Sequence, residues 1–146
     1  MKRAFLMSLD YDSMKKINVS RSVNTGGREG ESVAPDGSFS VKTSMTKNKD
    51  ATTPEMLFAA GFAACFNSAM SFTLQQAGKG DLHRQVTANV DLYAASQTDF
   101  NLKVRLVGHI DGVEPAETQK YMEETAKVCP YSKAVAGNID VEVSAE

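Results

Sequence analysis

The sequence is poor in the residues that most often build metal and hydrolytic centres, with two cysteines and two histidines in 146 residues. His83 and His109 have no Cys or His partner at a ligand-like spacing, so no metal site is expected. A Gly-x-Ser-x-Gly elbow is missing, which argues against a Ser-His-Asp hydrolase. The glycine-rich stretch Asn24-Thr25-Gly26-Gly27-Arg28-Glu29-Gly30 lacks the Gly-Lys-Ser/Thr ending and the following helix of a phosphate loop. Charge of one sign does not accumulate: Lys and Arg total 16 against 18 Asp and Glu, and the basic residues are scattered, so neither a nucleic acid nor an anionic membrane is an expected partner. No repeat, low-complexity segment or transmembrane segment is apparent. The apolar start Met1-Lys2-Arg3-Ala4-Phe5-Leu6-Met7 stops at Ser8 and is followed by Asp10 and Asp12, unlike an export signal. The expected location is therefore cytoplasmic, with the two cysteines as reduced thiols or a redox pair rather than a structural staple.

What remains, 42% hydrophobic and 23% charged residues, suits one soluble domain over residues 1–146 with its own core. Residues 1–16 show no clear periodicity and read as an N-terminal extension. Residues 17–23 alternate Ile17, Val19, Arg21 and Val23 with polar neighbours, predicting a strand with one face largely buried. After the turn at Ala34-Pro35-Asp36-Gly37, residues 38–43 predict a second strand, and the pair reads as a hairpin. Alternation over residues 84–94 and 102–110 gives the clearest strand signals, joined by a polar connection. An amphipathic helix is expected from Pro115 to just before Cys129, a short helix over residues 130–136, and a last strand around Ile139, Val141 and Val143. Strands interleaved with helices in this way predict an α+β fold with antiparallel sheet covering helices.

The central stretch runs from Thr53-Pro54-Glu55 to about Gln76. It reads as a helix with a Thr cap and Pro at its first position, stopped by Gly78. Apolar side chains spread around its circumference, so it is expected to be buried on all sides. Cys65 lies near its middle among Phe62, Phe66 and Met70, where burial raises a thiol's pKa and keeps it unreactive unless a cation is near. Arg28, in a glycine-flanked turn, is the candidate cation. Cys129 precedes Pro130; capping the following turn would favour its thiolate, whereas ending the preceding helix would not.

Three separated motifs occur in order: Thr53-Pro54-Glu55-Met56-Leu57-Phe58-Ala59-Ala60-Gly61-Phe62-Ala63-Ala64-Cys65-Phe66, then Val128-Cys129-Pro130-Tyr131-Ser132-Lys133-Ala134, then Gly137-Asn138-Ile139-Asp140-Val141. Together with Thr25-Gly26-Gly27-Arg28-Glu29-Gly30 they resemble the organic hydroperoxide resistance (Ohr) branch of the OsmC/Ohr superfamily, from about residue 17 to the end. The resemblance implies antiparallel sheets wrapped around central helices in an intertwined homodimer. It also implies thiol peroxidase chemistry without a bound cofactor. Cys65 is similar to the peroxidatic cysteine and Cys129 to the resolving one, with Arg28 as the active-site arginine and Glu55 as the glutamate that positions it. Organic hydroperoxides, alkyl or fatty-acid, are then the expected substrates, with Phe62, Phe66 and Met70 as the apolar pocket. The disulfide would be reduced by a dihydrolipoyl group on a lipoylated protein or by another dithiol. Thr53, Ala126 and Ala136 depart from the family's usual Asn, His and Arg. The alternatives are an OsmC-type peroxidase of different substrate preference, or a non-enzymatic redox-sensing or ligand-binding protein.

Glu55 and Cys65, ten residues apart, are about 15 Å apart on an unbroken helix. Both cannot then touch one guanidinium, so either the helix breaks near Gly61 or Glu55 arrives by another route, such as a second chain.

Overall fold

A computed structural model describes residues 9–46 and 48–146; the expectation for the start of the N-terminal extension lies outside the described residues. The chain divides into two compact units, one ending at Pro54 and the other Glu55–Glu146.

The first unit is a small antiparallel sheet in the order β1 (Val23–Thr25), β2 (Glu31–Val33), β3 (Ser40–Lys42). The expected two-stranded hairpin is thus corrected: β2, which follows the turn-rich stretch, lies between β1 and β3. The predicted strand over residues 17–22 is not formed, and Ile17 and Val19 are 84% and 70% exposed. Their alternation prepares one apolar face, but among the described residues no strand pairs with it. Between β1 and β2 a 3-10 turn (Gly27–Glu29) carries Arg28. Its shape needs its glycines: Gly26 and Gly27 have φ of 90° and 64°, and a Cβ on Gly30 would lie 1.9 Å from the Thr25 carbonyl oxygen. Asn24 Oδ1 accepts the Gly27 N–H at 2.9 Å, and the Thr43 hydroxyl donates to the Gly27 carbonyl at 3.1 Å. Arg28 therefore sits on a loop fixed by backbone constraint on both sides.

The second unit is built on α1 (Pro54–Gln76). The helix is continuous through Gly61 and ends where Gly78, with φ 72°, turns the chain so that the Lys79 N–H reaches the Leu74 carbonyl at 2.8 Å. Phe62, Phe66, Ala69, Met70 and Leu74 recur at helical spacing and are buried. Burial on all sides does not occur within one chain: Met56, Ala60, Ala64 and Phe72 are exposed, Phe72 at 62%. By length and composition α1 could cross a membrane, but its apolar stripe forms part of a protein core.

The core's other wall is a sheet in the order β4 (Arg84–Ala94), β5 (Phe100–Ile110), β6 (Val141–Ala145). β4 and β5 are the antiparallel hairpin that alternation predicted. β6 pairs parallel to β5, which departs from a purely antiparallel sheet because two helices, α2 (Pro115–Ala126) and α3 (Pro130–Val135), carry the chain back to the start of β5's register. The pairing aligns apolar rows across the sheet: Val90, Val104 and Val141; Ala88, Leu106 and Val143; Val86, Gly108 and Ala145. Val104, Leu106 and Ile110 are fully buried, each contributing about 1.5–3 kcal/mol of transfer free energy. Where the third row has Gly108, the thioether of buried Met122 from α2 fills the space.

Candidate functional site

Cys65 and Cys129 reach each other through the second unit's own packing. α1 carries Cys65 on its middle turn, half-buried beside the Phe62, Phe66 and Met70 stripe. α2 ends at Ala126 with Lys127 as its C-cap. The chain then turns, and the Cys129 N–H still bonds back to the Thr125 carbonyl at 2.9 Å. Cys129 is the N-cap residue of α3, with Pro130 as the first helical residue. This decides between the two placements that the sequence left open, yet Cys129 makes no side-chain cap. Its sulfur is fully buried and lies 3.6 Å from Cys65 Sγ, both cysteines being free thiols.

The amide that capping would have given to Cys129 serves Cys65 instead. The backbone N–H of Tyr131, in the first turn of α3, donates to the Cys65 sulfur and favours its thiolate. Burial opposes this and is the larger effect, and the adjacent Cys129 adds to it, so the Cys65 thiol is held above its ordinary value. Sequence reasoning missed this amide because it belongs to a residue 66 positions away; the Cys-Pro-Tyr order was the available signal, since Pro130 forces a new helix start.

Tyr131 also forms one side of the site. Its ring packs against Phe58 and Phe62 with centroids 6.3 and 5.7 Å away, and Phe58 and Phe62 meet edge-on at 5.9 Å. Gly61, one turn before Cys65, leaves room for that ring: a Cβ there would come within 3.1 Å of the Tyr131 hydroxyl oxygen. Of the expected pocket residues, Phe62, Phe66 and Met70 are wholly buried. Phe58, half-buried, and Tyr131, 40% exposed, are the neighbouring aromatics with surface to offer a ligand.

Arg28 lies in the first unit, on the glycine turn described above, and Glu55 opens the second as the second residue of α1. The unbroken helix removes one of the two routes by which Glu55 and Cys65 were to share an arginine: on one chain they stay about 15 Å apart. Among the described residues no group of three His, Cys, Asp or Glu side chains is placed to hold a metal ion.

Two thiols in contact on an α+β frame with this element order can be compared with known proteins. The family description "OsmC-like protein" matches residues 46–144. This chain belongs to the OsmC-like family. Within that family it is similar to a protein of Staphylococcus aureus (strain MSSA476) named "Organic hydroperoxide resistance protein-like", at 37% identity over 128 residues, covering 85% of this chain and 91% of that one. A Staphylococcus epidermidis relative (strain ATCC 12228) named "Organic hydroperoxide resistance protein-like 2" is 35% identical over 128 residues, covering 83% and 89%. Among solved OsmC-like structures, the organic hydroperoxide resistance protein OsmC of Legionella pneumophila superposes with a TM-score of 0.81 at 36% identity, covering 90% of this chain and 99% of its own. The organic hydroperoxide resistance protein OhrB of Bacillus subtilis gives 0.82 at 28% identity, covering 90% and 100%. The α+β, Ohr-like architecture expected from the motifs is therefore the one present.

Proposed function

We propose that this protein is a thiol peroxidase that reduces organic hydroperoxides to alcohols. The observation that carries the reading is the 3.6 Å approach of two free thiols, one half-buried and one wholly buried. That arrangement suits a peroxidatic sulfur open to substrate and a resolving sulfur kept from it. The names of the Ohr relatives support an organic hydroperoxide as substrate, and the Phe58, Phe62 and Tyr131 aromatics beside Cys65 favour an alkyl group over hydrogen peroxide.

In this reading the Cys65 thiolate attacks the distal oxygen of the hydroperoxide. The O–O bond breaks, the alkoxide leaves and takes a proton as the alcohol, and Cys65 becomes a sulfenic acid. Cys129 then attacks the Cys65 sulfur: an S–S bond forms, the S–OH bond breaks, and water departs. A dihydrolipoyl group on a lipoylated protein, or another dithiol, reduces the disulfide and is itself oxidised.

Burial raises the Cys65 thiol above its ordinary value more than the Tyr131 amide lowers it, so that amide alone does not suffice. Arg28 supplies the missing cation and Glu55 orients it. Because Glu55 stands about 15 Å from Cys65 along its own helix, a homodimer in which the partner completes the set is the arrangement that meets the distance. The exposed Ala60, Ala64 and Phe72 on α1 offer the surface for it. Sedimentation is expected to give a dimer; a monomer fully active at nanomolar concentration would remove this part.

The test is turnover with dihydrolipoamide as reductant. Cumene hydroperoxide is expected to be consumed faster than hydrogen peroxide, and Cys65→Ser to abolish consumption. Stoichiometric disulfide formation without turnover would instead make the protein a redox sensor.

A further inference from the structure

The hydroxyl of Thr125 ties the helix of Cys65 to the turn of Cys129. Thr125 is fully buried, and its Oγ1 lies 2.7 Å from the Tyr121 carbonyl oxygen and 3.1 Å from Thr73 Oγ1. A hydroxyl has one proton to give, so these contacts form a relay through Thr125 from α1 to α2. The carbonyl of the same residue accepts the Cys129 N–H at 2.9 Å. Thr73 follows Cys65 by eight residues on α1, and Thr125 precedes Cys129 by four. One pair of threonines therefore connects the backbones that carry the two sulfurs.

Valine has nearly the shape of threonine and would fill this buried space without a polar group to satisfy. A hydroxyl there adds a directional bond, and direction matters for what the sulfurs must do. From 3.6 Å they have to close to about 2.05 Å in a narrow dihedral range, and small misplacements of reacting groups cost large factors in rate. We propose that Thr73 and Thr125 are positioning residues for the second chemical step, holding Cys129 where its sulfur meets oxidised Cys65. This assignment rests on the peroxidase reading.

The competing reaction supplies the readout. A Cys65 sulfenic acid that waits too long is oxidised by a second hydroperoxide to the sulfinic acid, with release of a second alcohol. Slower closure thus appears as sulfinic Cys65, whereas a merely structural loss would not shift this partition.

The experiment compares reduced full-length wild type, Thr125→Val, Thr73→Val and Thr125→Ser. Each is mixed with excess cumene hydroperoxide, quenched by alkylation at set times and followed by mass spectrometry. The first oxidation of Cys65 is expected to proceed at the wild-type rate in all four. Disulfide formation should slow about fivefold in both valine variants, the rate equivalent of one net hydrogen bond, with more sulfinic Cys65, and Thr125→Ser should restore it. Should Thr125→Val fail to fold, Thr73→Val breaks the same link from the partly exposed side of α1, and its closure rate decides. Closure at the wild-type rate in the valine variants would overturn this assignment alone. Wild-type protein that loses no thiols would overturn the peroxidase reading and this assignment with it.

Discussion

The Tyr131 ring rests on Gly61, one helical turn before Cys65, while its backbone N–H donates to the Cys65 sulfur. One residue thus covers the helix and helps to set the thiol's acidity. Gly61→Ala tests the coupling. The added methyl gains helix propensity worth about 1 kcal/mol but meets the ring at 3.1–3.2 Å, so Tyr131 must give way. Urea unfolding is expected to show little net change. Alkylation of Cys65 by iodoacetamide is expected to slow severalfold as the amide moves off the sulfur.

Gly108 is the second glycine whose missing side chain is used. A Cβ there would lie 2.2 Å from Met122 Sδ and 3.0 Å from its Cε, so the wholly buried Met122 side chain has to shift within the core. Gly108→Ala should therefore destabilise by about 1–3 kcal/mol, as overpacking does. Chemical denaturation measures it, and Met122→Ala in the same chain should recover part of the loss.

The reactivity of Cys65 should depend on pH in a direction fixed by its surroundings. Burial raises the thiol above its ordinary value, more than the Tyr131 N–H lowers it. Without a cation, the thiolate fraction, and with it the rate, climbs about tenfold per pH unit through neutrality. If Arg28 supplies the charge, the wild-type inflection falls below that of Arg28→Ala. Stopped-flow oxidation against pH measures both; coincident profiles would remove Arg28 from the mechanism.

At the far end of the β4–β5 hairpin, His109 should titrate above the ordinary histidine value. Its Nδ1 lies 3.1 Å from the Glu146 backbone oxygen, the larger cause, and its Nε2 lies 3.1 Å from Asp111 Oδ1. The folded state therefore favours the charged ring. The stability it lends is fully present below the unfolded histidine pKa and is lost as pH rises through the higher folded value. NMR titration should find that higher value, and Asp111→Asn should bring it back towards the ordinary one.

Local pattern carried the second unit a long way. The Pro54 start and Gly78 stop of α1 and the alternation in β4 and β5 were legible because each is determined within a few residues. Residues 17–22 misled, since alternation announces an apolar face but not whether anything covers it. The parallel placing of β6 was illegible for a related reason: pairing direction depends on where α2 and α3 carry the chain. Of the candidate site, Cys65 and Cys129 were visible as residues, and their 3.6 Å contact resembled a family's pairing rather than anything spacing could give. The Tyr131 amide and the Thr73–Thr125 relay joined residues too far apart in sequence for any window to connect.

Whether Cys65 and Cys129 act as one redox unit on organic hydroperoxides is read from a count of thiols. Reduced protein is mixed with one equivalent of cumene hydroperoxide, and thiols and peptide masses are then measured. Both thiols are expected to be lost, with the Cys65 and Cys129 peptides joined, and in Cys129→Ser Cys65 should advance to sulfinic acid when hydroperoxide is in excess. Wild-type protein that keeps both thiols free would contradict a shared redox role.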